Sequence, residues 1–291
     1  MSAWVRTDLH GHTLFSDGRA TPEEFVAFRR EQGMAVIAAS DHDVFDAVRR
    51  AAVTAQRAGV VLIPAAEITA FLAFGRAEAE QFHVLAYFPV RALSAGRLEQ
   101  TFLYRRALRI KERWRVFVLE WLADLDPEDR DLLDPDGVLL GTPSAAFPAL
   151  QSMIDRIVAR RRPLFDAFRE HHVRFWNEGL EFFGWTPEEA IDAIRADGAI
   201  DVVAHAARYR DRERTRAVLD YASGVEAYTS RHRAEIANEY RAFAEARHKL
   251  WTASSDDHQN ARYMRPASGM PLASVERLMQ QQLPLSLISA A

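Results

Sequence analysis

The 291-residue sequence contains no cysteine. Disulfides, thiolate metal sites and a thiol nucleophile are thereby excluded, so any metal must be held by histidine and carboxylate. A basic excess is also missing. Lys and Arg number 37 against 41 Asp and Glu, for a formal net charge of −4. That balance supplies no cationic track for extended nucleic acid, although a local cationic pocket stays open. Long apolar runs are absent as well: the strongest, GVVLIPAA at 59–66, is too short to cross a bilayer. The opening MSAWVRTDLHGH lacks a basic region followed by an apolar stretch. From these missing signals the expectation is a cytoplasmic chain without membrane contact. No internal repeat or low-complexity segment is visible, and oligomeric state is left open.

Hydrophobic residues make up 48% of the chain, enough to bury a sizeable core. Seven short apolar runs have strand-like length and β-branched content: 4–10, 34–41, 60–68, 81–88, 201–206, 225–230 and 250–257. Candidate helices fall at 22–32, 43–58, 187–197, 212–222 and 231–247. Two helix starts carry a capping box with proline at the first helical position: Thr21-Pro22 with Glu24, and Thr186-Pro187 with Glu189. Gly33, Gly59 and Gly198 mark helix ends. Strand–helix alternation predicts an α/β fold with a mostly parallel sheet, and seven runs favour a barrel-like arrangement. Residues 91–185 break the alternation with long helical patterns. They read as a helical insertion with its own small core, covering the mouth of a body formed by 1–90 and 186–291. A short final helix begins near 273.

Polar groups collect where the apolar runs end, which is where α/β folds place their sites. His10 and His12 are two apart and can face one point, as can Asp256 and His258. Asp17 follows in a turn closed by Gly18. His42 and Glu67 stand at the ends of two runs, and His83 and His205 interrupt apolar strands where an unpaired imidazole is costly. Singly, each has an ordinary explanation: a surface HxH, a hydrogen-bonded core histidine, a capping acid. Together they place six of the ten histidines and three acids at predicted strand ends. Such donors suit Zn²⁺, Mn²⁺ or Fe²⁺. Nine donors exceed the needs of one ion, so two or three ions are implied, with Glu67 able to bridge.

The segments DLHGHTLFSDG (8–18), IAASDHD (37–43), AAEIT around Glu67, HVLAYF (83–88), VVAHAARY (202–209), VEAYTSRH (225–232) and SSDDH (254–258) resemble the polymerase-and-histidinol-phosphatase (PHP) domain family. They are most similar to its stand-alone bacterial phosphoesterases, including nucleoside 3',5'-bisphosphate phosphatases. The resemblance implies a distorted seven-stranded β/α barrel and a trinuclear metal centre. His10, His12, Glu67 and Asp256 would hold one ion; Glu67, His83 and His205 a second; Asp17, His42 and His258 a third. Two departures stand out. The relatives' AHP(G/A)RY reads AHAARY, with Ala206 for proline. Their arginine–proline–histidine-like stretch is replaced by GTPSAAFPALQSMIDRIVARR at 141–161.

The expected chemistry is hydrolysis of a small phosphomonoester, with nucleotides among the candidates, by metal-activated hydroxide, with Glu67 and Asp256 central. The partner is then a small phosphorylated molecule. Arg208 is the first choice for a phosphate-binding guanidinium, and His232, read as beginning a helix, for phosphate binding or leaving-group protonation. Asp41 is expected to hold a histidine ligand in its tautomer, and Asp43 and Asp257 to cap loops. His171, His172 and Arg174 read as a solvated face or a lid, and His248 as surface. Trp114, Phe117, Trp121, Phe175, Trp176, Phe182, Phe183 and Trp185 read as core, with base stacking as the alternative. Two other functions stay open: a cyclic phosphodiesterase acting on a small metabolite, and a non-catalytic metal- or nucleotide-binding regulatory protein.

Overall fold

The computed structural model describes residues 3–94, 96–148, 150, 153–155, 162–261 and 269–284. The strands are β1 (Trp4–Val5), β2 (Thr7–Asp8), β3 (Val36–Ile37), β4 (Val61–Leu62), β5 (Ala65–Leu72), β6 (Glu80–Tyr87), β7 (Ile200–Val203), β8 (Gly224–Tyr228), β9 (Leu250–Ala253) and β10 (Met270–Pro271). They form three sheets, ordered β1-β10, β2-β3-β4 and β5-β6-β7-β8-β9. The fold is α/β as expected, but no closed seven-stranded barrel forms among the described residues. The two larger sheets meet at isolated bridges, Gly11 with Asp257 and His42 with Glu67, where closure would need continuous ladders.

The reasons are local. The run 60–68 breaks at Pro64, which has no N–H to give a ladder, while its carbonyl accepts from Phe88 at 2.8 Å. The run 4–10 breaks at Arg6, whose carbonyl accepts from Ala35 at 2.9 Å. The expected parallel pairing holds in β2-β3-β4 and in β7-β8-β9, but the five-stranded sheet is mixed. β5 pairs with β6 antiparallel from Ala65↔Tyr87 to Leu72↔Glu80, and β6 with β7 antiparallel; β7-β8-β9 run parallel.

Both capping boxes form, at the starts of α1 (Pro22–Glu31) and of the helix Pro187–Ala196. α2 spans Asp46–Ala58 and starts later than 43. Asp43 has φ 54°, a left-handed conformation that a helix cannot include. The helix expected at 231–247 begins at Ala234, because Arg231 and His232 belong to the preceding turn. These helices and the strands share one core, in which Leu9, Phe25, Ile37, Ile63, Phe82 and Val203 are fully buried.

Between Phe102 and Phe183 most of the described residues are helical, with α3 at Phe102–Asp124 and a long helix at Arg162–Glu178. Within the insertion expected at 91–185, residues 95, 149, 151, 152 and 156–161 lie outside the described residues. One apolar cluster joins Val118, Trp121, Leu122 and Phe168. A second ties Ile110, Phe117, Phe175 and Phe183 to Phe71 of β5. Among the described residues no helix is long and apolar enough to cross a membrane.

Candidate metal centre

The centre forms where the loops after β2, β3, β7 and β9 converge on β5 and β6, which carry Glu67 and His83 within the strands and not, as expected for Glu67, at a strand end. His10 and His12 follow β2, with Gly11 between them packed against α1. A Cβ on Gly11 would lie 2.4 Å from Arg29 Nη2 and 3.0 Å from the Phe25 ring, so the close approach requires glycine. Arg29 is itself buried and ion-paired to Asp8 (2.9 Å) and Asp257 (3.6 Å), joining β2 to the loop after β9. Burial favours the neutral acid at Asp8 and raises its pKa, against the opposing pull of Arg29.

Glu67, on β5, is the hub. Its Oε2 lies 3.2 Å from His10 Nε2, 3.3 Å from His12 Nε2 and 3.2 Å from His42 Nδ1. Its Oε1 lies 3.1 Å from His83 Nδ1 and 3.0 Å from His205 Nε2. Asp256 Oδ1 stands 3.4 Å from His12 Nε2 and 3.6 Å from His10 Nε2. On the outer side, Asp17 approaches His12 (3.4 Å), His42 (3.6 Å) and His258 (3.3 Å). All nine residues singled out in the sequence are therefore brought to one place. Seven of them, all but His205 and Asp256, have donor atoms within 4.8 Å of one another in the groups His12-Asp17-His42-His258, His10-His12-Glu67 and His42-Glu67-His83.

The donor set fits cations on hydrogen-bonding grounds. His10 Nδ1 faces Glu226 Oε1 at 2.9 Å, and a carboxylate can only accept, so Nδ1 carries the proton. In the neutral ring Nε2 is then a bare lone pair, aimed at Glu67 Oε2 and, across 3.3 Å, at His12 Nε2. Glu67 Oε2 and His205 Nδ1 are buried without a hydrogen-bond partner. Facing lone pairs of this kind need a proton or a metal ion between them.

The electrostatics agree. Burial opposes charge on His10, but Glu67, Glu226 and Asp256 outweigh it and raise its pKa well above the ordinary value. At His12 burial likewise opposes charge, yet Asp17, Asp256 and Glu67 raise its pKa to about 10. Burial acts against ionising Asp17 and Glu67, and the surrounding imidazoles hold both well below the usual carboxylate range. His83 differs, since burial dominates and pulls its pKa down to about 4.

Backbone strain occurs at two of the candidate ligands. His205 (φ 31°) and Asp256 (φ 54°) hold the left-handed conformation without being glycine, at a cost of order 1–3 kcal/mol each. The surrounding bonds over-determine both. His205 N donates to Glu226 Oε2 at 2.8 Å, and Asp256 N donates to the His10 carbonyl at 2.8 Å.

A cavity of about 470 Å³ opens onto the centre, lined on the body side by Glu67, His83, His205 and Asp256. Arg208 lines it as well. His232 does not; its Nδ1 is bonded to the Ala227 carbonyl at 2.9 Å and its ring stacks on Tyr240. The preceding residue, Arg231, reaches the cavity and pairs with Asp256. Asp41 contacts no imbedded imidazole directly. It accepts from Thr13 N, Thr13 Oγ1 and Ser16 Oγ at 2.6–2.7 Å and meets His12 through Ser16. His172, from the helical segment, lines the cavity, whereas Arg174 pairs with Glu178 at the surface. His171 hydrogen-bonds the Phe117 carbonyl at 2.9 Å, and His248 is exposed.

Sequence reasoning missed Glu226 and Arg231. The signal for Glu226 was present, an acid inside the apolar run VEAY, and matched the one used for His83. Arg231 carried no comparable mark.

The profile of the PHP domain matches residues 8–115. A 5'-3' exoribonuclease of Haemophilus influenzae is 39% identical over 62 residues, and the chain spans 23% of that relative's length. A candidate metal-dependent phosphoesterase of Bifidobacterium adolescentis shares the fold, with TM-score 0.65 and 22% identity over 98% of this chain and 99% of that one. An amidohydrolase of Chromobacterium violaceum, solved with sulfate and without metal, has TM-score 0.56 and 19% identity over 94% and 96% of the two chains.

Proposed function

We propose that this chain, which carries a PHP domain match over residues 8–115, is a metal-dependent hydrolase of a small phosphomonoester. The carrying observation is the buried Glu67 carboxylate, within about 3.3 Å of five imidazole nitrogens. We read His10, His12, Glu67 and Asp256 as one ion site, Glu67, His83 and His205 as a second, and Asp17, His42 and His258 as a third. Mn²⁺, Zn²⁺ and Fe²⁺ all accept these donors. When bound, such ions supply a water of lowered pKa and neutralise phosphate charge.

The chain's own residues hold and orient. Glu67, whose two oxygens face different imidazoles, would be shared between ion sites. Glu226 fixes the His10 tautomer from behind, as partners of metal-bound histidines do. Among the described residues, Arg208 and Arg231 are the two arginines lining the cavity, placed to receive phosphate oxygens by charge-assisted hydrogen bonds. Arg231 takes the role first considered for His232, whose Nδ1 is engaged by the backbone. We read 91–185 as a helical cover on the body formed by 1–90 and 186–291, because His172, Trp176 and Asn177 close one side of the cavity. A cavity of about 470 Å³ and a net charge of −4 favour a small metabolite over extended nucleic acid.

The test combines elemental analysis with a substrate panel of phosphomonoesters, nucleoside 3',5'-bisphosphates, small cyclic phosphates and a 5'-phosphorylated RNA. Two to three metal equivalents and turnover of phosphomonoesters are expected, with Glu67→Gln folded but at background rate. Failure to bind Mn²⁺ or Zn²⁺, or turnover confined to cyclic phosphates or RNA, overturns the reading.

A further inference from the structure

Beside the main cavity lies a second of about 70 Å³. Its walls include Phe15, Val44, Ile110, Trp114, Phe147 and Phe175, drawn from the loop after β2, the loop after His42, α3 and the helical segment. The two cavities share Asp17, His42, Leu150, His172 and Trp176, so the annex begins where the candidate metal centre ends.

Its polar borders are already engaged. Lys111 pairs with Asp46 and donates to the Ala145 carbonyl at 3.1 Å. Ser16 donates to Asp41 at 2.6 Å. Trp176 Nε1 donates to His172 Nε2 at 2.8 Å, and burial keeps that imidazole neutral at physiological pH, with a pKa of about 4. A group entering the annex therefore meets aromatic and aliphatic surface and few polar atoms to pair with. A nucleobase would bury ring nitrogens and exocyclic groups there at a cost. The size points the same way. An apolar cavity of about 150 Å³ takes up a benzene ring, so a smaller annex open on one side admits one ring edge-first, not a fused bicycle.

We propose that the annex is the leaving-group subsite, and that the substrate is the phosphate monoester of a compact apolar alcohol carrying at most one six-membered ring. This rests on the phosphomonoesterase reading above. In the reaction the oxygen of water bonds to phosphorus, the P–O bond to the alcohol breaks, and the alkoxide takes up a proton. The products are inorganic phosphate and an alcohol that leaves from the annex.

The experiment compares benzyl phosphate with glycerol 3-phosphate on the metal-loaded enzyme, because both expel primary alkoxides. Benzyl phosphate is expected to show kcat/KM higher by about tenfold or more, and naphthylmethyl phosphate to fall below it. Calorimetry of benzylphosphonate against methylphosphonate supplies a readout without turnover, with the same order expected. Ile110→Phe, which narrows the annex, should bring the benzyl-to-glycerol ratio close to one. If that variant does not fold, the wild-type series and calorimetry decide alone. Equal rates and affinities for the two leaving groups overturn the annex and leave the phosphatase reading standing. Hydrolysis of neither ester while nucleoside bisphosphates are turned over also overturns the annex, whereas turnover of no phosphomonoester at all overturns the reading beneath it.

Discussion

The body around Glu67 and the described part of the helical segment from Phe102 to Phe183 each hold buried clusters, of opposite chemistry. Around Glu67 the buried groups are acids and imidazoles held in mutual opposition, and each one's ionisation depends on the others. In the helical segment the buried groups are mostly apolar, with aliphatic side chains such as Val118, Leu122 and Leu164 packed among rings. Trp114 meets Phe168 and Phe175 edge-on at 6.3 and 5.1 Å, and Trp121 meets Phe168 at 5.2 Å. Apolar packing degrades gradually when trimmed, whereas a charge network loses balance when one member goes. The difference teaches that the helices can vary in sequence while enclosing a centre that cannot.

One residue belongs to both regions. Arg106 of α3 donates to Asp43 at 2.6 Å and to the Phe182 carbonyl at 2.7 Å, and lies 4.2 Å from the centre of the Trp185 ring. Asp43 adjoins His42, and its N–H donates to the Glu67 carbonyl at 2.9 Å. Arg106→Leu should leave a buried carboxylate unpaired and cost about 3–5 kcal/mol. Because the loop carrying His42 is loosened, bound metal should fall as well. Denaturant titration and elemental analysis check both; unchanged metal content would show that the seam does not support the centre.

Phe168→Ala offers the contrast. It should cost about 3–5 kcal/mol by leaving a void among Trp114, Trp121 and Leu164. Metal content per folded chain should equal that of the unchanged protein. A parallel loss of metal would mean that the two regions are one cooperative unit, and the comparison would fail.

Legibility in the sequence follows the same divide. His10 and His12 were readable because spacing of two after a strand is a geometric statement that needs no tertiary knowledge. Both capping boxes were readable for the same reason. The break at Pro64 was visible in principle, yet counting apolar runs hid it, and with it the loss of barrel closure. Arg106 could not be told from the other arginines of RLEQTFLYRRALRIKERWRV, since its burial is decided by Asp43, sixty-three positions away. His232 was preferred to Arg231 because histidine carries more chemical suggestion. The turn before Ala234 decides which of the two reaches the cavity, and that turn was read as helix.

The smallest expected effect is at Glu226, and it sharpens the comparison most. Its two oxygens accept from His10 Nδ1, Ser254 Oγ and His205 N at 2.9, 2.6 and 2.8 Å. Glu226→Gln keeps the shape, removes the charge and turns an amide NH₂ toward a donor. His10 then loses the carboxylate that favours its proton on Nδ1 and makes Nε2 a strong donor to a metal. Metal affinity should fall about 10–100-fold, the range for partners that orient metal-bound histidines, as measured by competition with a fluorescent chelator. Affinity unchanged in Glu226→Gln would reduce Glu226 to a scaffold residue. The polar centre would then tolerate the loss of a member much as the aromatic segment tolerates trimming.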